Sequence, residues 1–151
     1  MKRRRWKDPS DMFLEAVAEV RPRFHEIDVM GVVWHGHYLN FFEEGRVEFG
    51  RQYDFSYQHI QDAGYVAPLV RAEVDYFKPA RFDEPLTVRT RLHPTPGAWI
   101  TYTYLVRNAD GDKLSGGKTV QAFTDHQGEL VLTRPGFYDE FLKRNGCDES
   151  T

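Results

Sequence analysis

Asp28 stands seven residues before His35, with Gly31 between them. An Asp side chain titrates near about 3.9 in an unperturbed setting, so Asp28 is expected to be ionised at neutral pH. Such a carboxylate can activate a water as a general base, or attack a carbonyl itself to form a mixed anhydride. The sequence leaves both routes open. Chemistry at a carbonyl also needs a hydrogen-bond donor aimed at the oxygen, where negative charge builds up. The N–H groups that open a helix are unpaired and carry partial positive charge. Here a helix is expected to begin just after Gly31-Val32-Val33-Trp34-His35. Gly31 permits a tight or left-handed turn in the feeding loop. Asp28 and the helix start can then face one pocket. The structural alternative is that Asp28 only caps the helix or closes a turn.

Other side chains nearby have plainer readings. His35-x-His37 with Glu43 and Glu44 invites thought of a metal. Helical positions two apart diverge, so no metal site is expected. Glu43 and Arg46 lie three apart and suit a pair on one helix face. Glu43 can alternatively point into the site as a second carboxylate. His25 and Glu26, just before Asp28, can help shape the pocket, or read more plainly as a solvated pair at a strand end. Cys147 is the only cysteine, which excludes an intrachain disulfide or a CxxC pair. It falls in a polar C-terminal stretch with nothing nearby to activate it.

The elements that must position these groups are legible from periodicity. Between Phe13 and Phe24, Pro22 argues against a continuing helix, and Val17, Val20 and Phe24 fit an extended piece. Tyr38, Phe41, Phe42, Gly45 and Phe49 recur at helical spacing, giving an amphipathic helix from about His37 to about Tyr53. A shorter helix is expected at Ser56 to Ala63, closed by Gly64. Beyond Gly64 the period becomes two. Strands are expected at Val70 to Phe77, Leu86 to Leu92, Ile100 to Arg107 and Val120 to Thr124. Turn signals separate them: Pro79, Pro85, Pro94-Thr95-Pro96-Gly97, Asp110-Gly111 and Gln127-Gly128. Pro135 to Lys143 suits a short terminal helix with proline at its start. One helix with an apolar stripe needs one sheet face to cover it. The expected class is therefore α+β, a curved antiparallel sheet wrapped around a central helix. One domain is expected over residues 1–151, with a core at about 13–133, a basic N-terminal tail and a short C-terminal helix and tail.

The stretch Asp28-x-x-Gly31-Val32-Val33-x-His35-x-x-Tyr38-Leu39-x-x-Phe42-Glu43-x-x-Arg46 resembles the signature of the 4-hydroxybenzoyl-CoA thioesterase family. Asp75-Tyr76-Phe77-Lys78-Pro79-Ala80-Arg81-x-Asp83 resembles that family's second and third strands and their junction. The resemblance runs from about Pro22 to Thr133. It implies the hotdog fold and hydrolysis of an acyl-CoA to the free acid and CoA. It places Asp28 in the catalytic role and the backbone N–H of His35 as oxyanion donor. The His35 side chain is left to hydrogen-bond or orient a neighbour. Gly31, Val33, Trp34, Tyr38 and Glu43 are expected to line the substrate site. Coenzyme A carries phosphates, so basic residues should meet it, with Arg71, Lys78 and Arg81 as candidates beside Arg89, Arg91 and Lys118. CoA enters as part of the substrate, and no cofactor is expected. The resemblance also implies dimers joined sheet to sheet, with the site between protomers, and hence a dimer or tetramer.

Two other functions share the same features. A hydratase or dehydratase on this fold would use a Gly-His-Phe-Pro or Asp-x-Asn-Pro-x-His type motif. The chain has Gly36-His37-Tyr38-Leu39 and Asp28-Val29-Met30-Gly31, with the proline missing from both. A non-catalytic acyl-CoA binding module would have no need of the Asp28 carboxylate. Composition adds boundaries. A net charge of −3 gives no hint of a nucleic-acid partner. Lys2, Arg3, Arg4, Arg5 and Lys7 are followed by Asp8, Asp11, Glu15 and Glu19 rather than an apolar run, so they read as a solvated tail, not a secretory signal. No apolar stretch approaches the ~20 residues of a membrane span. A cytoplasmic location is expected.

Overall fold

The computed structural model describes residues 12–147; the basic residues at positions 2–7 lie outside that range. The first strand, β1 (Leu14–Val20), is the extended piece read before Pro22. A 3-10 turn at Phe24–Glu26 follows, and a second at His35–His37 leads directly into α1 (Tyr38–Tyr53). A short helix α2 (Tyr57–Asp62) follows, capped by the Ser56 side chain, which accepts the His59 N–H. Then come β2 (Tyr65–Val66), β3 (Leu69–Tyr76), β4 (Leu86–His93), β5 (Trp99–Asn108), β6 (Lys113–Ala122) and β7 (Thr124–Asp125). The last element is α3 (Gly136–Arg144), with Pro135 as its N-cap.

Five strands form one antiparallel sheet in the order β1-β4-β5-β6-β3. Residues directly opposite across antiparallel strands share a face. Leu86, Val88, Thr90 and Leu92 of β4 and Tyr102, Tyr104 and Val106 of β5 therefore point together toward α1, and all are buried. The helix answers with Tyr38, Phe41, Phe42 and Phe49, all buried. It packs on β1, β4 and β5. Gly45, a poor helix former, sits where α1 comes closest to β4: a Cβ there would lie 2.2 Å from Thr90 Oγ1. Phe42 stacks flat on Tyr104, with ring centroids 4.4 Å apart.

Two expectations are corrected. The strand expected at Val120 to Thr124 runs instead from Lys113 to Ala122, and Thr124–Asp125 pairs with Tyr65–Val66 in a separate two-stranded ladder. Gly116 and Gly117 hid its first half, because glycine ordinarily weakens a strand. Gly117 is required by packing: a Cβ there would lie 2.3 Å from the Phe42 ring and 2.6 Å from the Glu73 carbonyl. Cys147 is buried rather than in an open polar tail. Buried Tyr138, Phe141 and Leu142 of α3 join the same apolar cluster, in which Phe141 stacks on Phe55 at 4.3 Å.

Candidate active site

Asp28 opens a tight loop between Ile27 and Val33, which form an antiparallel bridge. Its N–H donates to the Val32 carbonyl at 2.8 Å, and its carbonyl accepts the Gly31 N–H at 3.0 Å. Gly31 has φ of +79°, a conformation that favours glycine. The Asp28 Oδ1 accepts the Met30 N–H at 2.8 Å, an Asx turn that holds the carboxyl group at the loop's base. This leaves Oδ2 with no bond to a described residue. Asp28 is half-buried, whereas Val29 and Met30 at the loop tip are exposed.

After the loop the chain is held at three successive points. The Val33 N–H donates to the Ala80 carbonyl and the Trp34 N–H to the Glu26 carbonyl, both at 2.9 Å. Tyr38, one turn on, accepts the Ala80 N–H through its hydroxyl at 3.1 Å. Burial pushes the Tyr38 hydroxyl above its ordinary value, against the lowering effect of that bond. His35 and Gly36 lie between these anchors, at the opening of the helical run, where N–H groups have no acceptor within the helix. The Trp34 ring lies over Gly36, where a Cβ would meet it at 2.1 Å, and beside the His35 ring at 4.7 Å. Tyr76 closes the other side: its hydroxyl donates to the His35 carbonyl at 2.6 Å, and its ring meets Tyr38 edge-on at 5.3 Å.

The fold thus gathers Asp28, Gly31, Val33, Trp34, His35 and Tyr38 in one continuous stretch. Lys78 and Arg81 sit on the neighbouring segment that supplies Ala80; Lys78 pairs with Asp112 at 3.5 Å. The Arg81 N–H donates to Glu84 at 3.0 Å. Arg71 is not brought to this cluster. It lies five residues along β3 from Tyr76, about 16 Å at the usual strand rise, and pairs with Glu73. Arg89 and Arg91 both pair with Glu15. Glu43 is exposed, and Arg46 bonds the Tyr104 hydroxyl at 3.0 Å instead of Glu43. Glu26 is buried rather than solvated: its Oε1 accepts the Arg23 N–H at 2.8 Å. Among the described residues no three His, Cys, Asp or Glu side chains cluster within reach of one metal ion.

Tyr76 and Ala80 stood in the second family-like stretch without a role assigned to either, and the Ala80 and Glu26 backbone groups that anchor the segment carry no side-chain signal. A separate cavity of about 870 Å³ lies beyond Glu26, between Val20, Phe24, Phe41, Phe82 and Leu86. Neither Asp28 nor His35 lines it.

A long helix cradled by one antiparallel sheet, with a carboxylate-bearing loop feeding its first turn, is the hotdog arrangement. Residues 22–144 match the family model of the thioesterase-like superfamily, and the protein belongs to that superfamily. The acyl-CoA thioester hydrolase YbgC of Escherichia coli O6:H1 is 33% identical over 107 residues, covering 70% of this chain and 79% of that one. A DHNA-CoA thioesterase from Staphylococcus aureus has the same fold, with a TM-score of 0.75 at 24% identity over 87% of this chain and 95% of its own. So does a mutant 4-hydroxybenzoyl-CoA thioesterase solved with 4-hydroxybenzoyl-CoA, with a TM-score of 0.72 at 19% identity over 84% of this chain and 97% of its own.

Proposed function

We propose that this thioester hydrolase acts on acyl-CoAs, with Asp28 as the catalytic carboxylate and the His35 N–H as the oxyanion donor. The observation that carries the reading is the Ile27–Val33 bridge, which ties the Asp28 loop to the first turn leading into α1. Carboxylate and unpaired N–H are thereby fixed on one short rigid stretch. In the reaction, the thioester oxygen settles on the N–H groups at His35 and Gly36. Asp28 takes a proton from the attacking water, or adds to the carbonyl carbon and is released by water in a second step. The CoA thiolate leaves. The Tyr76 hydroxyl and the Trp34 ring hold His35 in place and narrow the space around the carbonyl. Lys78 and Arg81, on the adjoining segment, are placed to meet the CoA phosphates. No cofactor enters the scheme, and a cytoplasmic setting suits the substrate. No described helix is long and apolar enough to cross a membrane.

We further propose that the working form is a dimer or a higher assembly of dimers, joined along β3. This strand is a free edge of the sheet. Leu69, Val70, Tyr76 and Phe77 along it are exposed, Val70 at 56%. An edge of that kind pairs unless it is blunted. β1, at the opposite edge, carries Glu15 and Glu19. Pairing along β3 would bring a second copy against Tyr76, Trp34 and the exposed Val29–Met30 tip, so each site would be shared.

The test is thiol release from a panel of acyl-CoAs, followed by sedimentation at micromolar concentration. Absence of thiol release across the panel would leave a binding module. A fully active monomer would remove the shared site. Restored activity on mixing an Asp28→Asn chain with one altered at Tyr76 would support it directly.

A further inference from the structure

The cavity beyond Glu26 lies apart from the Asp28 loop, toward the β1 edge of the sheet. The end of β1 gives it Val20, the start of β4 gives Leu86, and α1 gives Asn40, Phe41 and Glu44. None of its lining residues belongs to β3 or β6. A second copy joined along β3, at the opposite edge, leaves it open. Its volume of about 870 Å³ falls within the range of about 300–1,000 Å³ usual for small-molecule sites.

Two chain segments are clasped together at its rim. The Asp83 N–H donates to the Pro22 carbonyl at 3.0 Å, and Arg21 Nη1 donates to the Asp83 carbonyl at 2.8 Å. Asp83 holds φ of +58° here, which is uncommon for a residue with a side chain. Phe24 and Phe82, one from each segment, meet edge-on with ring centroids 6.0 Å apart. Both rings are exposed, Phe24 at 82%. Two neighbouring aromatic rings left open to solvent beside a cavity can cover the apolar body of a ligand. Phe41 and Leu86, both buried, extend the apolar lining inward.

Glu26, also in the lining, is the only Asp, Glu, Lys or Arg side chain buried among the described residues, with 6% exposure. Its Oε1 accepts the Arg23 N–H at 2.8 Å. Its Oε2 has no bond to a described residue, and no described cation lies within ion-pair distance of either oxygen. Taking a carboxylate out of water with one hydrogen bond and no counter-ion is unfavourable. A cation entering the cavity and meeting Oε2 would offset that. The surrounding charges agree. Glu19 and Glu44 line the cavity as well, exposed and without an ion pair to a described residue. Of the two arginines in the lining, Arg21 is held by Asp83, with Nη1 3.8 Å from Oδ1. That leaves Arg23 alone against Glu19, Glu26 and Glu44.

We propose that this cavity is a second ligand site, which takes an organic ammonium ion carried on an apolar body. The ammonium group meets Glu26 Oε2, and the body lies against Phe24, Phe41 and Phe82, whose ring faces also attract a cation. The site stands apart from the thioester chemistry, since neither Asp28 nor His35 lines it.

The experiment titrates the full chain with 2-phenylethylamine, which is protonated at neutral pH, and with 2-phenylethanol, a neutral probe of the same shape. Calorimetry gives the affinities and amide NMR shifts give the place. The amine should bind at least about tenfold more tightly than the alcohol, the usual worth of a hydrogen bond to a charged group. The shifts should centre on Phe24, Phe41 and Phe82. In Glu26→Gln the amine should lose about tenfold in affinity and the alcohol little. Phe24→Ala, at an exposed position, should weaken both probes. If the Gln variant does not fold, the amine-to-alcohol ratio of the wild type and the loss in Phe24→Ala decide together. Equal affinity for the two probes would overturn the proposal. So would an amine affinity unchanged in Glu26→Gln or in Phe24→Ala, shifts centred away from the cavity, or no binding of the amine at millimolar concentration.

Discussion

Replacing Asp28 by Asn separates its chemical role from its structural one. The loop is held by backbone bonds, Asp28 N–H to Val32 and Gly31 N–H to Asp28, which the substitution leaves intact. The Met30 N–H donates to Asp28 Oδ1 at 2.8 Å, and an Asn side-chain oxygen can accept it equally well. What is lost is the charge on one hydrogen bond. Bonds to charged groups contribute about 1.5–3 kcal/mol and neutral ones about 0.5–1.5 kcal/mol, so the cost should be near 1 kcal/mol. In a chain of this size that lowers Tm by about 2–4 °C. The chemical loss should be far larger. A positioned proton acceptor is worth about 10²–10⁴ in rate, and kcat should fall within that range with KM little changed. A chromogenic thiol trap gives the rate, and calorimetry on the same sample gives Tm. A variant melting within a few degrees of the wild type and keeping more than about a tenth of its kcat would refute the assignment. Collapse of the fold would instead show that the Asx turn, rather than the chemistry, is what Asp28 supplies.

Four further outcomes can be checked. Gly36→Ala places a Cβ 2.1 Å from the Trp34 ring; the ring must leave its place over the helix start, and kcat/KM should drop about tenfold to a hundredfold with the fold retained. Gly117→Ala meets both the Phe42 ring and a backbone carbonyl, so urea titration should show a loss of about 1–3 kcal/mol or more. Burial raises the hydroxyls of Tyr38, Tyr104 and, most strongly, Tyr102 above their ordinary value. Their folded forms hold the proton more tightly than the unfolded chain. Their contribution to stability should therefore be full below about pH 10 and be lost as pH rises beyond it, and a urea midpoint that stays flat from about pH 9 upward would contradict the burial argument. Val70→Lys puts a charge on the β3 edge and should shift sedimentation toward monomer and lower activity together; an unchanged assembly would place the interface elsewhere.

Much of the fold was legible because periodicity reports burial. The apolar spacing of Tyr38, Phe41, Phe42, Gly45 and Phe49 gave a helix whose structural bounds are Tyr38–Tyr53. The alternation from Leu86 to Leu92 gave β4, which runs to His93. The first half of β6 was hidden because its glycines answer to Phe42, a partner 75 residues away in sequence from Gly117. The candidate catalytic stretch was legible by type and spacing, since Asp28, Gly31 and His35 sit in one run. Its supports were not. Glu26, which looked like half of a solvated pair, is a buried cap, because a 3-10 turn at Phe24–Glu26 brings its carboxylate back onto the Arg23 N–H.

Arg46 shows why one chain's pattern stops short of a side chain's partners. Beyond closing the family-like stretch, its position in the sequence suited an i,i+3 pair with Glu43. That pairing assumes the two side chains have no better partner. The sheet supplies one: Tyr104 stacks on Phe42 one turn earlier in α1 and presents its hydroxyl under Arg46, while Thr119 supports it from β6. A tyrosine and a threonine at inward strand positions look like ordinary members of an alternating run. They become a polar patch only when strand register sets them beneath a particular helix residue. Helix periodicity says which face is buried, and strand alternation says which side is covered. Neither says where along the helix the two meet, and that meeting point is what gives Arg46 its partners.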